Sequence, residues 1–561
     1  MRMSPRGWMV WLVAAGCWVA GWSQPARLIA GHGGGPSAEE LAQQAPLIPG
    51  LGQLNHRVTT HVPLAQRYFD QGLRLVYAFN HNEATRSFKA AAAADPNCAM
   101  APWGIALALG PNYNLPVDAE RQQAAYEAIQ RAKLLASGVS AHEQRYIEAM
   151  AQRFSADPAA DRKQLDQNYV DAMRQLAASY PNDLDAATLF AAGAMELRPW
   201  DLWQRDGQPQ PGTEEIVATL ERVLKANPSH PGANHYYIHA VEASTAPERA
   251  VAAADRLAAL MPAAGHLVHM PSHIYYRIGR YRDAVESNRQ AVEVDKAYIE
   301  RYKPQGPYPA MYYPHNVHFL WSSLCKEGRS AEALVAADQF AALVPLAAVK
   351  EMPMLEAFLW TKLVTLVRFG KWEQVLSEPE WPAEFVFAGA MRHYARAVAL
   401  AEQGKLDAAS DEANQLASIL KSTAPDATVG VQGHSAQTVL GVAWHTAQGR
   451  IAAKQQRLSA AIEALREAVR LQDTLSYDEP PAWDYPVRQT LGAVLLVANQ
   501  PAEAEAVYRA DLRNHPHNGW SLFGLTASLR AQGREAEAAQ SAKQFQNAWQ
   551  RADVTLSSSQ L

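Results

Sequence analysis

The sequence predicts an all-α protein built as a solenoid of antiparallel helix pairs, and three observations support this prediction. Apolar residues recur with helical periodicity almost throughout the chain from about residue 60. Turns that contain Gly-Arg or Gly-Lys separate successive amphipathic runs. The pattern also repeats every 34 residues, as from Pro228 to Pro262 and from Ala250 to Ala284. No convincing alternating strand interrupts it.

Length and charge agree with this architecture. A chain of 561 residues with 48% hydrophobic and 19% charged residues can bury a large core, but it exceeds what one globule usually holds. Several domains or a solenoid are therefore expected. The formal net charge is −5 and the Lys and Arg residues are dispersed, so we expect no nucleic-acid partner.

Residues 1–23 are predicted to be a signal peptide. Arg2 and Arg6 precede an apolar run, Trp8 to Trp22, that is shorter than the about 20 residues of a spanning helix. We therefore expect a periplasmic or secreted protein without a membrane span after cleavage. An uncleaved anchor and lipid attachment at Cys17 are alternatives. Residues 24–59, which include GHGGGP, are predicted to be a flexible leader.

After cleavage, only Cys98 and Cys325 remain, so packing rather than a disulfide framework must stabilise the fold. Within the helical region, the spacing of Ser140 and Glu143 predicts a capping box at the start of the helix around Tyr146.

The 34-residue pattern resembles the tetratricopeptide (TPR) repeat. In both, a small residue opens the second helix, an aromatic or small residue follows, and a proline stands near the end. The segments that fit best are 65–98, 231–264, 265–298 and 314–347. The resemblance implies a right-handed superhelix, with N-terminal repeats at 60–347, C-terminal repeats at 348–550 and a tail at 551–561. Residues 99–230 and 348–440 follow the pattern only by periodicity.

Histidines cluster in the segment 231–318, where we predict a metal site. Seven of the chain's 18 histidines lie here: His235, His239, His266, His269, His273, His315 and His318. The pair His235 and His239 recurs 34 residues later as a second pair at the same offsets. At about 100° per residue, the histidine offsets fall on one stripe of the first helix of each repeat. The TPR resemblance implies that this stripe faces the concave groove, so the seven imidazoles would converge on one surface.

A histidine pair at i and i+4 is a ready chelate for a borderline or soft divalent metal. Tyr236 stands where a zincin carries its glutamate, so the pair is not a zinc-protease motif. Pro271 would interrupt the helix; if the helix instead begins there, His266 and His269 lie on the preceding loop.

Copper suits an all-imidazole site in an oxidising compartment, and zinc or iron are alternatives. The number of metals stays open, because seven histidines exceed one tetrahedral site. Additional candidate ligands or neighbours are Glu242, Cys325 and Tyr276, although Cys325 is also explained as a small buried residue.

The sequence therefore predicts an exported metalloprotein, with a metal-dependent oxidoreductase as one hypothesis. A small-molecule substrate would lie near Tyr236, Tyr276, Tyr312 and Tyr313. The alternative is a non-catalytic TPR scaffold that binds a peptide or partner protein in its groove. Insertions rich in Pro and aromatic residues, at 198–212, 302–314 and 477–486, are predicted to be ordered loops that either cover repeat edges or roof a pocket. The sequence identifies no catalytic residues.

Overall fold

The computed structural model describes residues 45–560, which are almost entirely helices joined by turns. The predicted signal peptide, Cys17 and the first part of the predicted leader lie outside the described residues. No helix within residues 45–560 has an apolar stretch long enough to cross a membrane.

The chain divides into two compact units. Among the described residues, the first unit comprises 45–274 together with Gln290–Tyr313, and the second comprises Tyr275–Arg289 together with 314–560. The helices of the first unit are α1 (Pro63–Tyr77), α2 (His81–Ala94), α3 (Met100–Leu109), α4 (Ala119–Leu135), α5 (Ala141–Ala151), α6 (Arg162–Ser179), α7 (Leu184–Glu196), α8 (Thr213–Ala226), α9 (Pro231–Val241), α10 (Val251–Leu260) and α11 (Gly265–His269). Two further helices, α12 (Pro271–Arg277) and α13 (Tyr281–Tyr302), contain residues of both units.

Shorter elements complete the first unit. Turns of 3-10 helix lie at Ala136–Gly138 and Pro247–Ala250, and one turn of π-helix lies at Tyr308–Tyr312. A π turn is rare and often stands beside a functional site.

The second unit is also helical. Its helices are α14 (Tyr313–Lys326, whose first residue belongs to the first unit), α15 (Ser330–Leu343), α16 (Leu346–Glu351), α17 (Thr361–Arg368), α18 (Trp372–Ser377), α19 (Val386–Glu402), α20 (Leu406–Ser422), α21 (Ala436–Lys454), α22 (Leu458–Gln472), α23 (Val487–Val497), α24 (Pro501–Asn514), α25 (Gly519–Ala531) and α26 (Glu535–Ala548). A 3-10 turn lies at Pro353–Phe358. Two antiparallel strands of two residues each, β1 (Thr428–Val429) and β2 (His434–Ser435), form the one small hairpin among the described residues.

Helices that follow one another in the chain pack against each other in both units, as in the pairs α1 and α2, α19 and α20, and α25 and α26. Helices two apart in the chain also touch, for example α1 with α3 and α23 with α25. This is the stacking of helix hairpins that characterises TPR-like repeats. The predicted all-α, TPR-like fold class is confirmed.

The turns between paired helices explain the recurrent Gly-Arg and Gly-Lys dipeptides. Five glycines at these turns have positive φ, a region that L side chains rarely adopt: Gly279, Gly328, Gly370, Gly404 and Gly533. Each one is followed by an Arg or Lys immediately before the next helix. At the corresponding turn after α1, Phe79 adopts φ 56° in place of a glycine.

The predicted capping box is confirmed. The backbone N–H of Glu143 donates to Ser140 Oγ at 3.2 Å, and the backbone N–H of Ser140 donates to Glu143 Oε2 at 3.1 Å. Thr59 also donates its backbone N–H to Glu143 Oε1 at 2.7 Å. The described residues of the predicted leader, 45–59, are therefore a packed segment with specific partners rather than a free linker.

Helix α9 is enclosed by other helices of the first unit. It contacts α1, α7, α8 and α10, and every residue from Pro231 to Val241 is buried. The TPR resemblance implies that the histidines of this helix face the concave groove, and in the structure they are buried. Because α1 returns to pack against α9, the face that would line a groove is covered from within the same unit.

Candidate metal centre

Three histidines of the first unit come together around α9. His235 and His239 lie one turn apart on α9, and His266 lies on the short helix α11. The side chains of all three are buried. One ring nitrogen from each lies within 4.8 Å of the other two. The shortest of these contacts joins His235 Nε2 and His266 Nε2 at 3.1 Å.

The outer nitrogen of His235 is held by the backbone. His235 Nδ1 lies 2.7 Å from the carbonyl oxygen of Tyr77, the last residue of α1. A carbonyl oxygen only accepts hydrogen bonds, so the ring proton is on Nδ1 and the Nε2 lone pair points toward His266. This is the orientation that a metal-ligating histidine takes when a second group fixes its tautomer.

A carboxylate holds His239 in the same way. His239 Nδ1 lies 2.9 Å from Glu242 Oε1, and both side chains are buried. Burial alone would raise the pKa of Glu242, but the neighbouring His273 and His239 outweigh burial and hold the pKa below its ordinary range. Glu242 is therefore an anion at neutral pH and accepts the Nδ1 proton. The Nε2 of His239 has no hydrogen-bond partner within the described part of the chain.

The imidazoles of α9 are neutral at neutral pH. Burial lowers the pKa of His235 well below its ordinary value of 6.5, and the nearby His239 adds to this effect. Burial also lowers the pKa of His239, although Glu242 opposes the shift. Neutral imidazoles keep a lone pair, which is the form that binds a metal.

Aromatic rings surround the three histidines. The Phe79 ring stacks on His266 with 5.3 Å between centroids and meets His235 edge-on at 4.5 Å. Tyr312, in the π-helical turn, lies 4.7 Å from the His266 ring. These rings exclude water from the imidazoles, which strengthens electrostatic interactions at the site.

Two loops cover His239. Tyr113 lies 5.2 Å from the His239 ring, and Trp200 meets the same ring edge-on at 5.7 Å. Tyr113 and Trp200 stack on each other at 5.3 Å. Trp200 belongs to the Pro- and aromatic-rich segment 198–212. This segment therefore packs against the His239 ring.

A second histidine pair lies next to the first three histidines. His269 Nε2 and His273 Nε2 are 2.8 Å apart, and both side chains are buried. His273 Nδ1 lies 2.6 Å from Glu242 Oε2, so one carboxylate touches both His239 and His273. His269 lies in helix α11 rather than on a loop, and α12 begins at Pro271, where the missing amide donor costs no helical hydrogen bond.

The remaining predicted site residues lie in the second unit. His315 and His318 are on α14 and are half-buried. The His318 ring stacks on Trp321 at 5.0 Å and on Phe340 at 4.5 Å, and burial lowers its pKa to about 4. His315 meets Phe319 edge-on at 5.8 Å.

The two additional candidate ligands in the second unit, Cys325 and Tyr276, are both buried. Burial raises the pKa of Cys325 well above 9.0, which disfavours the thiolate that a metal would need. Tyr276 Oη and Ser322 Oγ are hydrogen-bonded at 2.9 Å, and Ser322 donates to Asp484 Oδ1 at 2.5 Å.

A buried polar network holds Tyr77 from its other side. Tyr77 donates its hydroxyl to Asp185 Oδ1 at 2.7 Å. His56 Nδ1 lies 2.8 Å from Asp185 Oδ2, and His230 Nε2 lies 3.1 Å from Asp185 Oδ1. His56, Asp185 and Asp183 each offer one potential metal-ligand atom, and these atoms lie within 4.8 Å of one another. Each of the three side chains, however, already has a hydrogen-bond partner in the protein. The network therefore has a complete structural explanation.

The sequence did not indicate the aromatic residues that enclose the site, because they are distant from its histidines along the chain. Tyr77, Phe79 and Tyr113 lie more than 100 residues before His235 in the chain. No local pattern singles them out, since an aromatic residue near a helix end is most simply a core residue. Trp200 could have been identified from the sequence, because it lies in a segment whose composition is unusual for a linker.

Comparisons with known proteins give no match by sequence and only distant similarities in structure. No known protein family matches the chain, and no curated protein matches it. Among solved structures, the chain is similar to the human IFIT1 dimer with m7Gppp-AAAA, at 12% identity over 88% of this chain and 91% of that chain, with a TM-score of 0.33. It is also similar to the APC/C hetero-tetramer Cut9-Hcn1, at 13% identity over 87% of this chain and 77% of that chain, with a TM-score of 0.30.

A third similar structure is the TPR domain of P58(IPK), at 13% identity over 84% of this chain and 98% of that chain, with a TM-score of 0.20. These distant similarities carry no inference about the ligand of this chain.

Proposed function

We propose that the protein binds a transition metal ion through His235, His239 and His266. The observation that supports this most directly is the buried Nε2 of His239. It has no hydrogen-bond partner in residues 45–560, yet it belongs to a group of three ring nitrogens within 4.8 Å of one another. An unsatisfied buried polar atom costs about 1–3 kcal/mol, and a metal ion that accepts the lone pair would remove that cost.

The surroundings of the three imidazoles favour the same function. The carbonyl of Tyr77 and the carboxylate of Glu242 each accept an Nδ1 proton, which directs two Nε2 lone pairs toward the interior of the cluster. Partners of this kind orient the ligands in metal sites and raise their basicity. The Glu242 carboxylate also supplies a negative charge that offsets the charge of the ion.

Copper suits this donor set best, because imidazole is a good ligand for copper and the ring nitrogens are the only donors in the group. Zinc and iron are the alternatives. Export, as the N-terminal composition predicts, would place the site in an oxidising compartment. A bound copper would supply one-electron redox chemistry there, and oxidoreductase activity on a small molecule is the finer form of the proposal.

The alternative function is a scaffold that holds a peptide in its groove. The burial of His235, His239 and His266 argues against these histidines as the peptide-binding surface, because an extended peptide needs an exposed face. A partner protein would have to bind elsewhere on the repeats.

The test is metal analysis of the full chain purified without an affinity tag. Wild-type protein should contain stoichiometric copper, zinc or iron, and His239→Ala should lose most of it. His445→Ala is the control, since His445 is half-buried on α21 beside Trp444 and should leave the metal content unchanged. A wild-type protein that neither contains metal nor takes it up would refute the proposal.

The redox part is tested separately on copper-loaded protein. Ascorbate should reduce the bound Cu(II) and oxygen should restore its absorption, whereas zinc-loaded protein should show no change. Copper that is bound but cannot be cycled would leave a metal-binding protein without this activity.

A further inference from the structure

His269 and His273 lie in the same unit as the three-histidine group, and their imidazole nitrogens are in close contact. Their Nε2 atoms are 2.8 Å apart, and the two side chains are no more than 1% exposed. From these residues we infer that the centre is dinuclear, with a second transition metal held by His269 and His273 beside the first. The inference rests on the proposed function.

The proton positions favour a ligand at this place. His273 Nδ1 lies 2.6 Å from Glu242 Oε2, and a carboxylate cannot donate a hydrogen bond, so Nδ1 carries a proton and, in the neutral imidazole, the Nε2 of His273 carries a lone pair. That lone pair is directed at His269 Nε2. Ser272 Oγ lies 3.3 Å from His269 Nδ1 and can donate or accept, so it also suits the tautomer in which His269 Nε2 carries a lone pair.

The separation of the two nitrogens is close to that of two ligands on one ion. Zn–N or Cu–N bonds of about 2.0–2.1 Å in a tetrahedral site place two ligand nitrogens about 3.3 Å apart. Opening the His269–His273 contact to that separation requires a shift of about half an ångström, which side-chain rotation supplies. The His235–His266 contact of 3.1 Å needs less.

Glu242 joins the two positions. Its Oε1 lies 2.9 Å from His239 Nδ1 and its Oε2 lies 2.6 Å from His273 Nδ1, so one carboxylate orients one ligand of each ion. The ring centroids of His239 and His273 are 5.7 Å apart, and those of His266 and His269 are 5.9 Å apart. Rings this close can direct their nitrogens at two ions about 3.5–4 Å apart, the usual spacing of two-metal sites.

The alternative explanation is a hydrogen bond between two neutral imidazoles, in which His269 Nε2–H donates to His273 Nε2. In that case the pair would only support the first metal through Glu242. The two explanations differ in the number of ions bound per chain.

The experiment is reconstitution of the full chain with Cu(II), followed by removal of loosely bound ions and determination of copper per chain. Wild-type protein should bind two equivalents, and the double variant His269→Ala with His273→Ala should bind one. A matched histidine-pair control is His515→Ala with His517→Ala, two residues outside the cluster in the second unit, which should still bind two equivalents.

Other copper contents would contradict the second metal site. One equivalent in both wild type and the double variant would overturn the second site and leave the proposed function intact, whereas no binding by wild type would overturn both. Two equivalents in the double variant would place the second ion elsewhere and also overturn the inference.

Electron paramagnetic resonance of the wild type covers the case in which the double variant does not fold. Two Cu(II) ions this close should couple magnetically, so the signal should fall well below that expected from the copper content. A full signal for two equivalents would show that the ions are far apart and would overturn the inference.

Discussion

His235 donates its Nδ1 proton to the backbone carbonyl of Tyr77 over 2.7 Å, across a separation of 158 residues in the chain. The contact ties the last residue of α1 to the first histidine of α9. It also decides which nitrogen of His235 faces the other imidazoles. Residues that position Tyr77 should therefore influence metal binding without touching the ion.

Gly232→Ala tests this relationship. A Cβ atom at Gly232 would lie 2.5 Å from the Tyr77 ring, so α1 and α9 would have to separate. We expect overpacking to cost about 1–3 kcal/mol of folding free energy. Displacing the Tyr77 carbonyl should also weaken metal binding by about 10–100-fold, as expected for an outer-shell partner. Thermal unfolding and a competitive metal titration measure the two effects.

Gly389→Ala is the matched control. Gly389 lies within α19, and nothing lies within 4 Å of the Cβ it would gain. Alanine is favoured over glycine in a helix interior by about 0.5–1 kcal/mol, so this variant should be as stable as wild type or more stable. If Gly232→Ala binds metal as tightly as Gly389→Ala does, Tyr77 does not position His235 for binding.

Glu242→Gln should weaken metal binding while nearly keeping the shape of the side chain. The amide has one acceptor oxygen and no charge, so it cannot accept from both His239 and His273. We expect a loss of about 10–100-fold in metal affinity, measured by competition with a chelator of known affinity. Glu248→Gln, at an exposed carboxylate of the following 3-10 turn, should bind like wild type.

Metal removal should lower the thermal stability of wild type but not of His239→Ala. An ion bound only by the folded state contributes RT ln(1 + [L]/Kd), about 2.7 kcal/mol at a hundredfold excess over Kd. Calorimetry with and without a strong chelator measures the difference. Equal melting temperatures for wild type in the two conditions would contradict binding to the folded protein.

The stability of the first unit should depend on pH through His56. Burial alone would lower the pKa of His56, but the hydrogen bond and charge of Asp185 outweigh it and the pKa lies above 6.5. Protonated His56 therefore stabilises the fold. This contribution is fully present below pH 6.5, the ordinary pKa, and is lost as the pH rises through the raised pKa of the folded state.

The loss of folding stability at low pH should come from Asp185. Burial alone would raise the pKa of Asp185, but His230 and His56 lower it far below 3.8, so its contribution is lost as the pH falls below that value. Denaturant unfolding of wild type and His56→Gln between pH 5 and pH 9 tests the His56 limb. The stability advantage of wild type should shrink as the pH rises, and an advantage that grows with pH would be inconsistent with a raised His56 pKa.

The features predicted correctly from the sequence depend on residues close together in the chain. The capping box of Ser140 and Glu143 spans three residues, and the Gly-Arg turns need only a glycine at a positive φ. The pairing of His235 and His239 on one face of α9 follows from the helix repeat alone. Local geometry decides each of these, and a sequence records local geometry directly.

The neighbours of the histidines were decided by the tertiary structure. The sequence by itself determined the helical class, the 34-residue repeat and the concentration of histidines between residues 231 and 318. Only the fold brought Tyr77 and Phe79 to His235, placed Trp200 over His239 and buried the α9 histidines that the TPR resemblance assigned to the concave groove. The physical reason is that helix periodicity fixes which residues share a face, whereas what covers that face depends on packing between helices far apart in the chain.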